Sequence, residues 1–312
     1  MKNNVLVIIG IVILCFIIAC KKDVKTKPIK TVTLETPKLQ AVYINGDSIH
    51  YTDFGTGEPV IFVHGSLGDY TSWGAQVDTF ATQHRVIAYS RRYAQPNRQV
   101  FNDSADYSVV PHAKDLAALI KALNLEPVHL VGHSWGAYTA LKTTLDHPEV
   151  VKSLVLGEPP VHSLIRNTRF GDSILNALEE NTFKPSVEAF KENNNTQGIS
   201  LFLGGVMADS LFYSKAPDYI HKHWNDNVLE LRGLLINRSW ITITPDEVKR
   251  IRTPVLVIKG EVSPLFLREV AVKLDSLLPN SQLFTLPESS HGLQSSNPKV
   301  FNKTVLSFID SH

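Results

Sequence analysis

One serine lies in a sequence pattern that can expose a hydroxyl group for nucleophilic attack. A Gly-x-Ser-x-Gly motif at residues 132–136 follows the apolar run 128–131 and precedes an amphipathic stretch typical of a helix. A serine hydroxyl is a weak nucleophile and needs exposure next to a base. A sharp turn from strand to helix provides that exposure, and the flanking glycines permit tight backbone packing. The motif therefore predicts Ser134 as a nucleophile and the N–H of Trp135, at the start of the helix, as a donor to a developing oxyanion.

Recurrent apolar runs predict the elements that position this serine. They span residues 59–63, 86–89, 128–131, 154–156, 255–258 and 282–286. Runs that are apolar throughout are typical of strands buried on both faces of a parallel sheet. Amphipathic stretches such as 113–123 and 137–146 lie between most of them, and two short β-like runs around Asn45-Gly46 predict a hairpin ahead of them. The alternation predicts an α/β fold with a mostly parallel sheet flanked by helices.

The alternation of predicted strands and helices is interrupted between residues 159 and 252. This interval contains helix-like pieces and many aromatic residues but no clear buried strand. A chain of 312 residues is long for one compact unit and short for two full domains, which favours one core with an insertion. We interpret the interval as a helical cap inserted between two strands, so that residues 39–158 and 253–312 form the core of the fold.

From residue 40 to residue 312 the chain resembles the α/β-hydrolase family. Besides the serine motif, His64-Gly65-Ser66 follows the first long apolar run. In the family the residue after His-Gly supplies a second oxyanion amide, so the resemblance implies that role for Ser66 and a structural one for His64. The loss of one such donor typically costs about 10²–10³ in rate. The family also carries its base on the loop after the last strand, which implies His291, in the serine, acid, histidine order of this fold.

The acid departs from the common pattern of the family. Most members carry an aspartate a few residues after the strand predicted at 255–258, where this chain has Ser263. Some members, haloalkane dehalogenases among them, draw the acid from the end of the preceding strand, and Glu158 occupies that position here. A carboxylate is needed to hold the histidine tautomer and to stabilise the imidazolium. The resemblance therefore implies Glu158 as the acid, with Glu261 as the alternative and a surface role open to either.

Two adjacent arginines follow the end of another predicted strand. Arg91 and Arg92 lie on the loop after the run 86–89, which we expect at the mouth of the site. Guanidinium groups bind carboxylates and phosphates, so both residues are candidates for contacts with a substrate. The alternative is that they form salt bridges on a solvated loop.

The resemblance implies hydrolysis of a small-molecule ester, or of an amide or thioester, through an acyl-enzyme, with no cofactor and no metal. Hydrolysis of a carbon–carbon bond by the same residues is an alternative, and a tethered binding protein with an inactive hydrolase fold is another. The dehalogenase reaction is excluded by the resemblance, since those enzymes use a carboxylate nucleophile where this chain has Ser134. The formal net charge of +1 offers no basic field for a nucleic acid.

The sequence of the first 38 residues predicts a targeting signal followed by a tether. A short cationic start and the apolar run 5–19 are typical of a signal peptide over residues 1–20, and the run is short for a membrane span, which needs about 20 residues. A small residue before Cys20 resembles a bacterial lipobox, which implies cleavage before Cys20 and lipid attachment to it. Residues 21–38 are rich in lysine and threonine and predict an extended tether. We expect a lipid-anchored protein of the bacterial cell envelope, with an uncleaved signal anchor as the alternative.

Overall fold

A computed structural model describes residues 38–97 and 100–312, and these contain an eight-stranded sheet. The strands are β1 (Gln40–Ile44), β2 (Asp47–Phe54), β3 (Pro59–Val63), β4 (Arg85–Tyr89), β5 (Val128–His133), β6 (Val151–Gly157), β7 (Val255–Gly260) and β8 (Ser281–Leu286). Their order across the sheet is β1-β2-β4-β3-β5-β6-β7-β8. β2 is antiparallel to both of its neighbours, and the other strand pairs are parallel. The predicted α/β fold with a mostly parallel sheet is confirmed.

The predicted signal peptide, Cys20 and all of the predicted tether except its last residue lie outside the described residues. Within the described part of the chain, no helix is both long and apolar enough to cross a membrane. The lipid anchor and the localisation in the cell envelope therefore stay predictions.

From β3 onwards, helices connect consecutive strands. In chain order, the α-helices of the described residues are α1 (Gly74–Phe80), α2 (Val109–Ala122), α3 (Trp135–Asp146), α4 (Arg169–Leu178), α5 (Lys184–Lys191), α6 (Asn195–Val206), α7 (Asp218–Asp226), α8 (Val228–Asn237), α9 (Pro245–Val248), α10 (Leu265–Leu277), α11 (Leu293–Ser296) and α12 (Pro298–Ile309). α2 begins four residues before the helix predicted at 113–123. The reason is that the Ser108 side chain accepts a hydrogen bond from the N–H of Val110 and caps an earlier first turn.

Side chains of the central strands alternate between two apolar layers, which explains why a strand such as β3 is apolar along its whole length. On β3, Ile61 and Val63 pack in the layer that contains α2, α3 and α10. Val60 and Phe62 pack in the opposite layer, with α1 and α12. All four side chains are fully buried, as expected for a parallel strand covered by helices on both faces.

The predicted hairpin is present between β1 and β2. Asn45 and Gly46 connect the two strands with φ values of 47° and 85°. Positive φ at both central residues is what a two-residue type I′ turn requires, and Asn-Gly is the sequence that adopts it most readily.

Six helices, α4 to α9, lie between β6 and β7, in the interval where the sequence predicts a cap. We refer to the segment between these strands as the cap. Its buried residues, Phe190 and Leu231 among them, share one apolar cluster with Leu67 and Phe266 of the core. Leu67 follows β3 and Phe266 follows β7, so the cap packs over the carboxyl ends of the parallel strands, where ligands bind in open α/β folds.

Candidate active site

Ser134 lies on a tight turn between β5 and α3. Its φ of 53° and ψ of −123° are a strained combination for a residue other than glycine. Both positions flanking this turn in the motif require glycine, because a larger residue would clash with neighbouring backbone atoms. A Cβ on Gly132 would lie 2.6 Å from Cα of Ala137, and one on Gly136 would lie 2.1 Å from the carbonyl oxygen of Val63. The predicted turn from strand to helix is therefore present, with the serine at its apex.

A chain of hydrogen bonds joins the three side chains that the sequence predicts to act together. Nε2 of His291 lies 3.0 Å from Oγ of Ser134, and Nδ1 of His291 lies 2.7 Å from Oε2 of Glu158. A carboxylate only accepts, so Nδ1 carries the proton and Nε2 presents its lone pair to the serine hydroxyl. Glu158 is fully buried, and its other oxygen accepts the N–H of Gly260 at 2.8 Å. This arrangement sets the tautomer that a general base needs.

Glu261, the alternative acid, does not make this contact. Its carboxylate is exposed and accepts the backbone N–H of Glu288 at 2.8 Å. Ser263, which stands where most members of the family carry an aspartate, is buried. Its hydroxyl has no hydrogen-bond partner within residues 38–97 and 100–312. The geometry therefore selects Glu158 over Glu261 as the partner of His291.

The two predicted oxyanion donors belong to residues that lie at the same cavity as the serine. Ser66 and Trp135 line the same cavity as Ser134 and His291. A Cβ on Gly65 would lie only 3.1 Å from Cβ of Ser134, so the loop that carries Ser66 packs directly against Ser134. In the part of the chain that the structure describes, neither backbone N–H donates to another protein group. Both are therefore free to bind an oxygen in the cavity.

For Arg91 and Arg92, the two candidates for substrate contacts, the structure shows the alternative, salt bridges within the protein. Arg92 pairs with Asp47 at 2.8 Å and with Asp115 at 2.7 Å. Arg91 is 1% exposed, and its guanidinium binds the carboxylate of Glu230 on α8. Both cations are already paired inside the protein, so neither is free for a substrate anion.

The buried guanidinium of Arg91 is bound to the loop that carries Ser66. It donates to the carbonyl of His64 at 3.0 Å through Nε and to the carbonyl of Gly65 at 3.1 Å through Nη2. The Gly65 oxygen also accepts from Nδ1 of His64 at 2.8 Å, while Nε2 of His64 accepts the N–H of Arg91 at 3.0 Å. In a trans peptide the C=O and N–H bonds point in opposite directions, so two donors on the Gly65 oxygen orient the Ser66 N–H away from themselves. Arg91 thereby holds the peptide of the predicted oxyanion donor.

The positive charge of Arg91, in the core, is balanced by the negative charge of Glu230, in the cap. Burial alone would raise the pKa of Glu230, but Arg91 and His112 lower that pKa below its ordinary value, and the carboxylate stays ionised. Nε2 of His112 lies 2.6 Å from Oε1 of Glu230. Burial, followed by the positive charge of Arg91, holds the pKa of His64 well below its usual range. His64 is therefore a neutral hydrogen-bonding group, which agrees with the structural role implied for it.

His133, for which the sequence motifs predict no role, contacts the loop of His291. Its Nε2 donates to the backbone carbonyl of His291 at 2.6 Å, and the two imidazole rings are 4.7 Å apart. Burial and the neighbouring His291 lower the pKa of His133 to about 3, so this ring stays neutral beside His291. The only feature of the sequence that could have indicated this contact is that the variable position before the serine of the Gly-x-Ser-x-Gly motif holds a polar side chain.

The cavity at Ser134 is small and apolar. Its volume is about 30 Å³, and the cap contributes much of its lining. Besides the residues already described, the lining consists of Pro160, His162, Phe183, Phe202, Val206, Leu234, Trp240, Phe266 and Leu267. An apolar wall excludes water and strengthens electrostatic interactions at the serine. No group of three His, Cys, Asp or Glu side chains is placed to hold a metal ion in residues 38–97 and 100–312.

A mostly parallel sheet with a serine on the turn after β5 and its histidine partner after β8 defines a hydrolase of the α/β class. The α/β hydrolase fold family matches residues 58–298, and the chain belongs to this family.

Curated relatives with different activities align over most of the chain. A putative non-heme chloroperoxidase from Synechocystis is 26% identical over 267 residues, which are 84% of this chain and 94% of that protein. A putative esterase/lipase from Haemophilus influenzae is 26% identical over 283 residues, 88% of this chain and 91% of that protein. A 2-hydroxy-6-oxononadienedioate/2-hydroxy-6-oxononatrienedioate hydrolase from Burkholderia vietnamiensis is 26% identical over 271 residues, 84% of this chain and 90% of that protein.

Among solved structures, the carboxylesterase CesB from Bacillus subtilis superimposes with a TM-score of 0.69 at 21% identity. The match covers 88% of this chain and 92% of that chain. Similarity at this level shows the shared fold.

Proposed function

We propose that the protein hydrolyses an ester bond in a small molecule through a covalent acyl-enzyme, with Ser134 as nucleophile. The observation that carries the proposal is the continuous hydrogen-bond chain from Oγ of Ser134 through His291 to the buried carboxylate of Glu158, with distances of 3.0 and 2.7 Å. Nucleophile and base within hydrogen-bond reach, with the base oriented by a third group, are the signature of this chemistry.

In the acylation step, Oγ of Ser134 attacks the carbonyl carbon of the ester and its proton passes to Nε2 of His291. The carbonyl π electrons move onto the oxygen, which binds the N–H groups of Ser66 and Trp135. Collapse of this tetrahedral intermediate expels the alcohol, which takes the proton from Nε2. Glu158 stabilises the imidazolium through Nδ1 without becoming protonated itself.

In the deacylation step, a water molecule replaces the alcohol. His291 accepts a proton from the water as it attacks the acyl carbon, and the same two amides bind the second oxyanion. The proton then returns to Oγ of Ser134 as the acid leaves. Every step uses side chains and amides of this chain, so the proposed reaction requires no cofactor.

The test is active-site labelling combined with turnover. We expect a fluorophosphonate probe to modify Ser134 of the full-length protein, and a series of p-nitrophenyl esters of graded acyl length to be hydrolysed. Ser134→Ala should abolish labelling and lower hydrolysis by several orders of magnitude, because triad removal leaves only the residual effect of binding and the oxyanion site. Ser263→Ala is the matched control, since Ser263 is also buried but lies outside the hydrogen-bond chain. Near-full hydrolysis by the Ser134 variant, or an unlabelled serine in the native protein, would favour a non-catalytic binding protein.

Hydrolysis of a carbon–carbon bond by the same residues is the second candidate. It is favoured by the similarity to two proteins named as 2-hydroxy-6-oxononadienedioate hydrolases, at 24% and 26% identity. The test compares the rate of hydrolysis of 2-hydroxy-6-oxononadienedioate with the rate on the best p-nitrophenyl ester. The carbon–carbon hydrolase predicts that the first substrate is preferred, and the esterase predicts that the second is preferred.

We also propose that Cys20 carries lipid and anchors the protein in the bacterial cell envelope. The support is the apolar run that ends Ile17-Ile18-Ala19-Cys20 and the polar segment behind it. Several acyl chains hold a protein firmly, whereas one chain binds only marginally. We expect Cys20→Ser to release the protein from the membrane fraction, and equal retention of both proteins would favour an uncleaved signal anchor.

A further inference from the structure

The cavity at Ser134 adjoins a larger and more polar cavity, which we call the outer chamber. The outer chamber has a volume of about 290 Å³ and shares four lining residues with the catalytic cavity: Pro160, His162, Phe183 and Trp240. The catalytic cavity, at about 30 Å³, has room for roughly one or two water-sized groups. Most of a bound ester must therefore extend beyond it, and the outer chamber lies directly across the shared wall.

The outer chamber contains one cation without an anionic partner. Among its lining residues, Arg238 pairs with Glu179 at 2.8 Å, and the hydroxyl groups of Tyr138 and Ser163 donate to backbone carbonyls. The guanidinium of Arg166 makes no hydrogen bond or ion pair with any residue of the described part of the chain. The charged groups of the chamber thus sum to one unbalanced positive charge.

His162, on the shared wall, has a buried polar atom without a partner. Its ring packs against Phe183, Trp240 and Phe266 at centroid distances of 6.0, 5.2 and 5.7 Å. Its Nε2 is buried and unpaired among residues 38–97 and 100–312. Burial, together with the charge of Arg166, lowers the pKa of His162 to about 4, so the ring is neutral at pH 7. An unpaired buried nitrogen costs free energy unless a bound molecule satisfies it, which makes this wall a place for a polar atom of a ligand.

We propose that the outer chamber binds a carboxylate of the substrate, with Arg166 as its counter-ion and His162 as a neutral hydrogen-bonding group between that carboxylate and the ester at Ser134. The planar guanidinium fork matches a carboxylate in shape as well as in charge. This inference rests on the proposed hydrolase function and names its substrate class, an ester that carries a second, anionic group remote from the reacting carbonyl.

The test compares pairs of esters that differ in one remote charge. 4-Acetoxybenzoate and 4-acetoxybenzamide place the difference on the alcohol side, and monoethyl adipate and ethyl hexanoate place it on the acyl side. Each is assayed with the full-length native protein, Arg166→Gln and Arg169→Gln. Arg169 is the matched control, because it is an exposed arginine three residues further along that does not line the outer chamber.

We expect Arg166→Gln to lower kcat/KM for the anionic member of at least one pair by about tenfold, equivalent to about 1.4 kcal/mol. The neutral members, and all substrates of the Arg169 variant, should change by less than about twofold. The preference of the native protein for the anion should weaken with added salt, because Arg166 is exposed. It should persist from pH 6 to pH 9, since a guanidinium stays charged over that range whereas a histidine does not.

Equal effects of the two arginine variants, or a native preference for the neutral esters, would overturn the proposal while leaving ester hydrolysis intact. If none of the four esters turns over, protection of Ser134 from the fluorophosphonate by 4-carboxyphenylboronic acid, relative to phenylboronic acid, makes the same comparison without turnover. Failure of Ser134 to react with the fluorophosphonate at all would contradict the hydrolase function instead.

Discussion

Nε2 of His133 donates to the backbone carbonyl of His291 at 2.6 Å, so the residue directly before Ser134 also holds the loop of His291. The turn after β5 and the loop after β8 are far apart in the chain, with 158 residues between His133 and His291. This bond joins them beside the reacting groups. A neutral imidazole suits the position, because a second cation next to His291 would oppose the imidazolium that forms during the reaction.

Replacing His133 should therefore impair turnover more than binding. We expect His133→Phe, which keeps a ring but loses the donor, to lower kcat about tenfold with little change in KM, since small misplacements of a base are costly. His133→Gln can present an N–H at a similar position and should recover much of the rate. Steady-state kinetics on one p-nitrophenyl ester measures both effects. A native kcat in His133→Phe would show that the hydrogen bond from His133 has no role in positioning His291.

The acid assignment can be tested with two isosteric variants. Both oxygens of Glu158 accept hydrogen bonds, from His291 and from the N–H of Gly260. An amide has only one oxygen and can accept only one of these two bonds through it. In Glu158→Gln the amide N–H therefore faces either the Gly260 N–H or Nδ1 of His291, and in the second case it imposes the wrong tautomer of His291. We expect a loss of about 10⁴ in kcat, as for the corresponding change in serine proteases. Glu261→Gln is the control and should stay within about twofold, and a larger loss for Glu261 than for Glu158 would reverse the assignment.

Arg91 should affect the oxyanion site without touching the substrate. A lysine keeps the charge, but its ammonium cannot bind the carbonyls of His64 and Gly65 and the carboxylate of Glu230 with the same planar geometry. We expect Arg91→Lys to lower kcat by about tenfold or more with KM nearly unchanged, and to weaken binding of a phenylboronic acid, which forms a tetrahedral adduct.

The control for this prediction is Arg92→Lys, a neighbouring arginine whose ion pairs do not reach the Ser66 loop. Thermal melts of both variants establish that they fold. The pH dependence of kcat should keep its shape in Arg91→Lys, because the base is unchanged. If both lysine variants lose the same amount of activity, the effect of Arg91 is on stability rather than on the oxyanion donor.

Acid should destabilise the protein before its carboxylates titrate. Burial lowers the pKa values of His64, His112, His133 and His162, the last two to about 3 and about 4. The unfolded chain binds protons at these residues near pH 6.5 and the folded protein does not. The stabilisation is therefore present above pH 6.5 and is lost as the pH falls towards the folded values. We expect a flat unfolding free energy between pH 8 and 7 and a decrease from pH 6.5 to 5, at most about 1.4 kcal/mol per pH unit for each such histidine.

Urea unfolding at fixed pH values measures this dependence. His162→Phe, which fills a similar space without a titrating group, should show a smaller decrease between pH 6.5 and 5 than the native protein. A free energy of unfolding that is constant from pH 8 to pH 5 would contradict the prediction.

Much of the architecture is encoded locally and could be predicted. Strands buried on both faces are apolar at nearly every position, which made runs such as 59–63 recognisable. The glycines around Ser134 are dictated by backbone contacts within a few residues and across one strand, so the turn has a short sequence signature. His291 was predicted because the α/β-hydrolase family, which the chain resembles, carries its base on the loop after the last strand. Glu158 was predicted because the aspartate common in that family is missing at Ser263, and some members draw the acid from the end of the neighbouring strand, where this chain has a carboxylate.

Other features depend on contacts between residues that are far apart in the chain. Arg91 was a candidate for substrate binding until its partner was known, and that partner, Glu230, is 139 residues away on the cap. The link from His133 to His291 spans 158 residues.

The sequence by itself thus determined the α/β class, because periodicity and local backbone sterics depend on neighbouring residues. Together with the family resemblance, it also predicted Ser134, His291 and Glu158 as nucleophile, base and acid. Only the tertiary structure decided which charges are paired and which are free. A guanidinium buried against Glu230 and one facing a cavity are the same residue type in the sequence. What separates Arg91 from Arg166 is the set of distant groups that folding brings around each of them.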